Sequence, residues 1–170
     1  MSEEIRVSKL EAAQRQLNAG IRMLFANGDP IATHTLFGAA SNLFSDLVEA
    51  KCSDQSWDKI GMEANGLSLA EYRKIMRNAQ NFLKHADKDP DAVLDLALSD
   101  TEALAFSTVM NASVLPEPLT FEAQVFQLWF IASSREGLEN EDFQEIGVNR
   151  WFGDLESMPR VQRLQIGQKA

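Results

Sequence analysis

At 170 residues, with 45% apolar and 24% charged side chains, the chain has the size and balance of one globular domain, not those of a disordered chain. Its formal charge of −9 argues against wholesale binding to nucleic acid or anionic lipid, both of which demand counter-charge. Cys52 is the only cysteine, which excludes an intramolecular disulfide and a cysteine-based zinc cluster.

Met1-Ser2-Glu3-Glu4 has neither the basic start nor the apolar run of a secretory leader, and no stretch of roughly 18 apolar residues follows, so the expected location is cytoplasmic with no membrane partner. Ser8-Lys9-Leu10-Glu11 is a capping box that opens a helix over about Lys9–Ala26. Its apolar face is Leu10, Ala13, Leu17, Ile21, Leu24 and Phe25. Asn27-Gly28-Asp29-Pro30 ends that helix and starts the next, with Gly28 as C-cap, Asp29 as N-cap and Pro30 in the first turn. The second helix spans about Ile31–Lys51 and buries Leu36, Ala40, Leu43, Phe44 and Leu47; so short a connection makes an antiparallel hairpin.

Residues 52–67 mix Ser, Asp, Gly and Asn with isolated Trp57, Ile60 and Met62, and read as a loop with room for one or two helical turns. The capping box Ser68-Leu69-Ala70-Glu71 starts a third helix over about Leu69–Ala86, and Asp89-Pro90 breaks the chain after it. A short helix through Val93, Leu94 and Leu96 is expected next, then a helix over about Thr101–Val114 behind the box Ser99-Asp100-Thr101-Glu102. Thr120 caps a helix over about Phe121–Arg135, and a last helical region near Glu141–Trp151 precedes a tail that thins out after Pro159. No segment shows sustained period-2 alternation with β-branched residues, so the expected fold is all-α: one bundle of five to seven helices, with residues 1–7 and 160–170 loosely ordered.

The third helix carries the chemistry. Arg73, Arg77, Asn81, Lys84 and His85 fall on one side of it, opposite Tyr72, Ile75, Met76, Ala79, Phe82, Leu83 and Ala86. Arg77, Asn81 and His85 form an i, i+4 ladder. Five basic against two acidic residues between Glu71 and Lys88 give a local charge of +3, leaving −12 for the rest. Two readings follow: a solvated surface helix whose last-turn cations match its dipole, or a ladder that holds phosphate or moves protons. On the second, His85 and Arg77 are the catalytic candidates, and Arg73, Asn81, Lys84 and His34 the ligand-binding ones. His34 joins them because antiparallel packing of the third helix on the second brings its end toward this histidine. No HxxxH or HExxH spacing supports a metal, and no cofactor is expected.

The stripe His34, Gly38, Ser41 and Ser45 on the second helix suits close helix approach, either within the chain or across a homodimer seam. Trp129, Phe130, Trp151 and Phe152 read as core, and an exposed subset would mark a surface for a protein partner.

The run Asn81-Phe82-Leu83-Lys84-His85-Ala86-Asp87-Lys88-Asp89-Pro90, with the Lys9–Lys51 hairpin, resembles an uncharacterised family of bacterial hypothetical proteins, a likeness that implies no activity. More distantly, Arg77-Asn78 with Lys84-His85 at a helix end resembles HEPN domains. That resemblance implies RNA cleavage, or RNA or nucleotide binding, by a homodimer, with His85 as the acid-base group and Arg77 stabilising phosphate charge. Seven residues separate Arg77 from His85, one more than in that family's motif, which leaves a binding-only member open. The alternative is a non-enzymatic helical module for a protein partner or a small ligand.

Overall fold

The computed structural model describes residues 3–87, 89–134 and 148–170. Among the described residues it is an all-α bundle of eight helices with no strand. The helices are α1 (Lys9–Phe25), α2 (Pro30–Lys51), α3 (Trp57–Asn65), α4 (Leu69–Lys84), α5 (Leu98–Ser113), α6 (Phe121–Ala132), α7 (Val148–Phe152) and α8 (Arg160–Lys169). None is long and apolar enough to cross a membrane.

Local chemistry sets most helix starts. Ser8 Oγ accepts from the Glu11 amide at 3.1 Å, Asp29 Oδ1 from Ala32 at 2.8 Å and Thr120 Oγ1 from Ala123 at 3.3 Å. Ser68 and Glu71 complete a reciprocal capping box on α4. In the α1–α2 turn it is Asn27, not Gly28, that adopts the left-handed conformation, at φ 51°. The Gly28 amide reaches back to the Met23 carbonyl, closing the turn that makes α1 and α2 an antiparallel pair.

The core lies between α1, α2, α5 and α6, around Leu17, Ile21, Phe37, Phe44, Val109 and Phe126. Trp129 is fully buried; Phe25 meets it edge-on with centroids 5.3 Å apart. Its indole Nε1 donates to the Arg163 carbonyl at 2.8 Å, which ties α8 to α6.

Four local expectations are corrected. Residues 57–65 form α3, ended by Gly66 in the left-handed region at φ 62°, a longer helix than the one or two turns expected within a loop there. No helix forms through Val93, Leu94 and Leu96; that segment runs irregularly into α5. The N-cap of α5 is Ala97, so Ser99 and Glu102 lie inside the helix and the expected box is absent. Residues 160–169 are not loose: Leu164 is fully buried, and Gly167 packs so closely on the Phe25 ring that a Cβ there would overlap it. The expected end at Arg135, and the part of the region expected from Glu141 that runs to residue 147, lie outside the described residues; the rest of that region falls in the helix Val148–Phe152.

Candidate functional site

The inner face of α4 is not the predicted apolar stripe. Tyr72 and Gln80 are its buried residues, Met76, Arg77, Ala79, Phe82 and Leu83 are half-buried, and Ile75 and Ala86 are exposed. The reason lies in α2, whose facing side is small and polar. The Gln80 amide lies over Gly38, where a Cβ would sit 2.8 Å from its Cδ, and Asn42 Nδ2 donates to Gln80 Oε1 at 2.9 Å. Gly38 therefore serves packing within the chain, the first of the two roles open to its stripe.

Arg73 and Arg77 line a cleft with Ser41, Asn42, Ser45 and Gln80. At about 20 Å³ it has room for a water-sized guest and not for a nucleotide base. Asn81, Lys84 and His85 are exposed and line neither this cleft nor the cavity described next. His85 caps the end of α4, and its Nδ1 lies 3.8 Å from the Asp87 carboxylate. Arg73, Arg77 and Lys84 have no ion-pair partner among the described residues.

His34 is placed elsewhere. It is 3% exposed, and Nδ1 lies 3.0 Å from the Thr101 hydroxyl on α5. Nε2 is buried with no hydrogen-bond partner. The ring lines a cavity of about 300 Å³ between α2, α4, α5 and residues 94–96. Ile75, Met76, Leu94, Leu96 and Leu104 supply its apolar wall; Asn78, Asp95 and Asp100 are its other polar residues. The two histidines are not brought into contact: His34 bonds Thr101, and His85 faces Asp87.

Thus the predicted group divides three ways, with Arg73 and Arg77 on the small cleft, Asn81, Lys84 and His85 on the surface, and His34 in the cavity. Sequence reasoning missed Asn78, Asp95 and Asp100. The one available signal was the Leu94-Asp95-Leu96 alternation, a period of 2 that fits an extended strap better than a helix.

Among the described residues, no group of three or more His, Cys, Asp or Glu is placed to hold a metal ion. Cys52 is half-buried, with Sγ 3.5 Å from the Val114 carbonyl oxygen. Trp129 and Phe152 are core, as expected, whereas Trp151 is 74% exposed.

Burial pushes the His34 imidazole below its ordinary pKa, against a smaller upward pull from the Asp100 carboxylate. The unfolded chain protonates this ring near pH 6.5 while the folded one resists. Between those two values the unfolded state binds more protons, so stability is complete above about pH 6.5 and declines as pH falls, with a slope bounded by one proton, about 1.4 kcal/mol per pH unit. Urea midpoints measured near pH 8, 6 and 5 should fall more steeply for the native protein than for His34→Gln. Parallel declines would acquit His34.

No family model, curated protein or solved structure matches the chain.

Proposed function

We propose that this protein is a small-molecule-binding helical module whose ligand occupies the cavity beside His34. One observation carries the reading: His34, 3% exposed and with its Nε2 unpaired, stands in the wall of a cavity of about 300 Å³. A buried polar atom without a partner costs roughly 1–3 kcal/mol, a cost that a ligand hydrogen bond would offset. The cavity has the size and mixed lining of a pocket for a small organic ligand, mostly apolar with a few convergent polar groups.

The test uses three probes with one apolar body: 2-phenylethanol, 2-phenylethylamine and phenylacetate. With methyl-labelled methionine, at least one is expected to shift the Met76 methyl resonance, assigned through Met76→Leu. Ala103 is exposed on the cavity rim, so Ala103→Trp obstructs the opening without entering the core and should abolish the shift. If no probe moves Met76, the reading fails.

A second reading is the HEPN-like one, RNA or nucleotide held by the α4 face of a homodimer. It is favoured by three cations, Arg73, Arg77 and Lys84, that have no ion-pair partner among the described residues, with the exposed His85 beside them. It replaces the first if a short single-stranded RNA binds, Arg77→Ala abolishes that binding, and the three probes leave Met76 unmoved.

A further inference from the structure

The charge distribution around the cavity narrows its ligand class. We infer that the cavity takes an organic cation, an ammonium group on a compact apolar body; this rests on the small-molecule reading above. The polar side chains on the lining are His34, Asn78, Asp95 and Asp100, and no lysine or arginine is among them. An anionic ligand would meet two carboxylates and no permanent positive charge.

The histidine sharpens the argument. Burial holds His34 toward its neutral form, so the unpartnered Nε2 does not repel a cation. Its role depends on the proton shared with Thr101. If Nδ1–H donates to the Thr101 hydroxyl, Nε2 carries a lone pair and no proton, so this edge of the ring sets no N–H against a cation. The Asp100 carboxylate acts on this same ring, so the acceptor nitrogen and a full negative charge belong to one neighbourhood. An ammonium offers three donors and no acceptor, which suits a lining whose other polar groups are the Asp95 and Asp100 carboxylates and the Asn78 amide. The body of such a ligand then lies against Ile75, Met76, Leu94, Leu96 and Leu104.

The wider surface points the same way. The approach along residues 89–97 carries Asp89, Asp91 and Asp95, all exposed, and the chain as a whole has a formal charge of −9. A field of that sign concentrates cations at the opening and repels anions. Because Asp95 and Asp100 are themselves exposed, their pull should be weakened by salt.

The three probes separate this inference from the reading beneath it. 2-Phenylethylamine is expected to bind at least tenfold more tightly than 2-phenylethanol, with phenylacetate weakest. The joint change Asp95→Asn and Asp100→Asn should remove that preference, bringing 2-phenylethylamine within about threefold of 2-phenylethanol. Raising salt from about 20 mM to 500 mM should weaken the amine alone. If the alcohol or the acid binds as well as the amine, the cation assignment is overturned and the cavity reading stands. If the amine preference survives the double change, it is likewise overturned. If none of the three moves Met76, both fall together.

Discussion

Arg160→Leu is expected to destabilise the protein by about 3 kcal/mol, the low end for stripping one partner from a buried ion pair. Arg160 Nε donates to Glu102 Oε1 at 2.6 Å; the Glu102 side chain is 8% exposed and that of Arg160 26%. The same guanidinium reaches Asn27 in the α1–α2 turn at 3.5 Å. One side chain at the start of α8 therefore fastens the first turns of α5 to the hairpin. Removing it leaves a carboxylate only 8% exposed without its charge partner. In a chain of this size the loss corresponds to a fall in Tm of roughly 6–12 °C.

The double change Arg160→Leu with Glu102→Leu is the informative control. Replacing both charges with apolar groups removes the uncompensated carboxylate, and most of the lost stability should return. Thermal unfolding of the two variants beside the native protein reads this directly. A single variant within about 0.5 kcal/mol of native, the range of ordinary surface changes, would show that the pair is solvated and contributes little.

This pair also shows where sequence reasoning stops. Ser99-Asp100-Thr101-Glu102 has the letters of a capping box, but Glu102 is committed to Arg160, 58 residues away, and α5 begins at Leu98 instead. A local motif was overridden by a distant partner. The reverse holds at Ser8, Asp29, Ser68 and Thr120, where the cap and its amide are three residues apart and the prediction held. The all-α class was legible because apolar residues recur at helical period throughout, and the hairpin because its turn is written in four consecutive residues.

The candidate site was less legible for the same reason. His34 could be singled out as one of two histidines, but its burial depends on Thr101 and on a strap that has no helical pattern. Periodicity alone put Ile75 on the inner face of α4. The structure puts Gln80 there because Gly38 and Asn42 on α2 offer a small, polar seat. Helical period gives the faces of a helix; the neighbour decides which face is inward.

Helix α3 is the sharpest case of that dependence, and Asn111→Leu should expose it. The side chain of Ser56, at the N-cap of α3, makes no capping bond. Instead Asn111 of α5, 1% exposed, accepts the Trp57 amide on Oδ1 at 3.0 Å and donates from Nδ2 to Asp58 Oδ1 at 3.1 Å. Tyr72 on α4 donates to the same carboxylate oxygen at 3.3 Å, and burial and the Asp58 charge push the pKa of its phenol far up, so it remains a donor at any physiological pH. A single amide thus caps α3 from outside and links it, through Asp58, to α4.

Leucine keeps the branched four-atom skeleton of asparagine and supplies neither hydrogen bond, so both polar contacts are lost. Two bonds, one to a charged group, put the expected cost at about 2–4 kcal/mol. Most of it should fall locally, because α3 has no buried residue of its own to hold it once the cap is gone. Hydrogen exchange across residues 57–65 is expected to accelerate at least a hundredfold while the core of α1 and α2 stays near its native rate. Asn111→Asp serves as the companion variant. It keeps the acceptor for the Trp57 amide but sets a carboxylate against Asp58, so it should retain the cap and lose the link to α4. If exchange in α3 is unchanged in Asn111→Leu, the helix is held by Trp57 packing edge-on to Phe106, and the external cap is not what holds it.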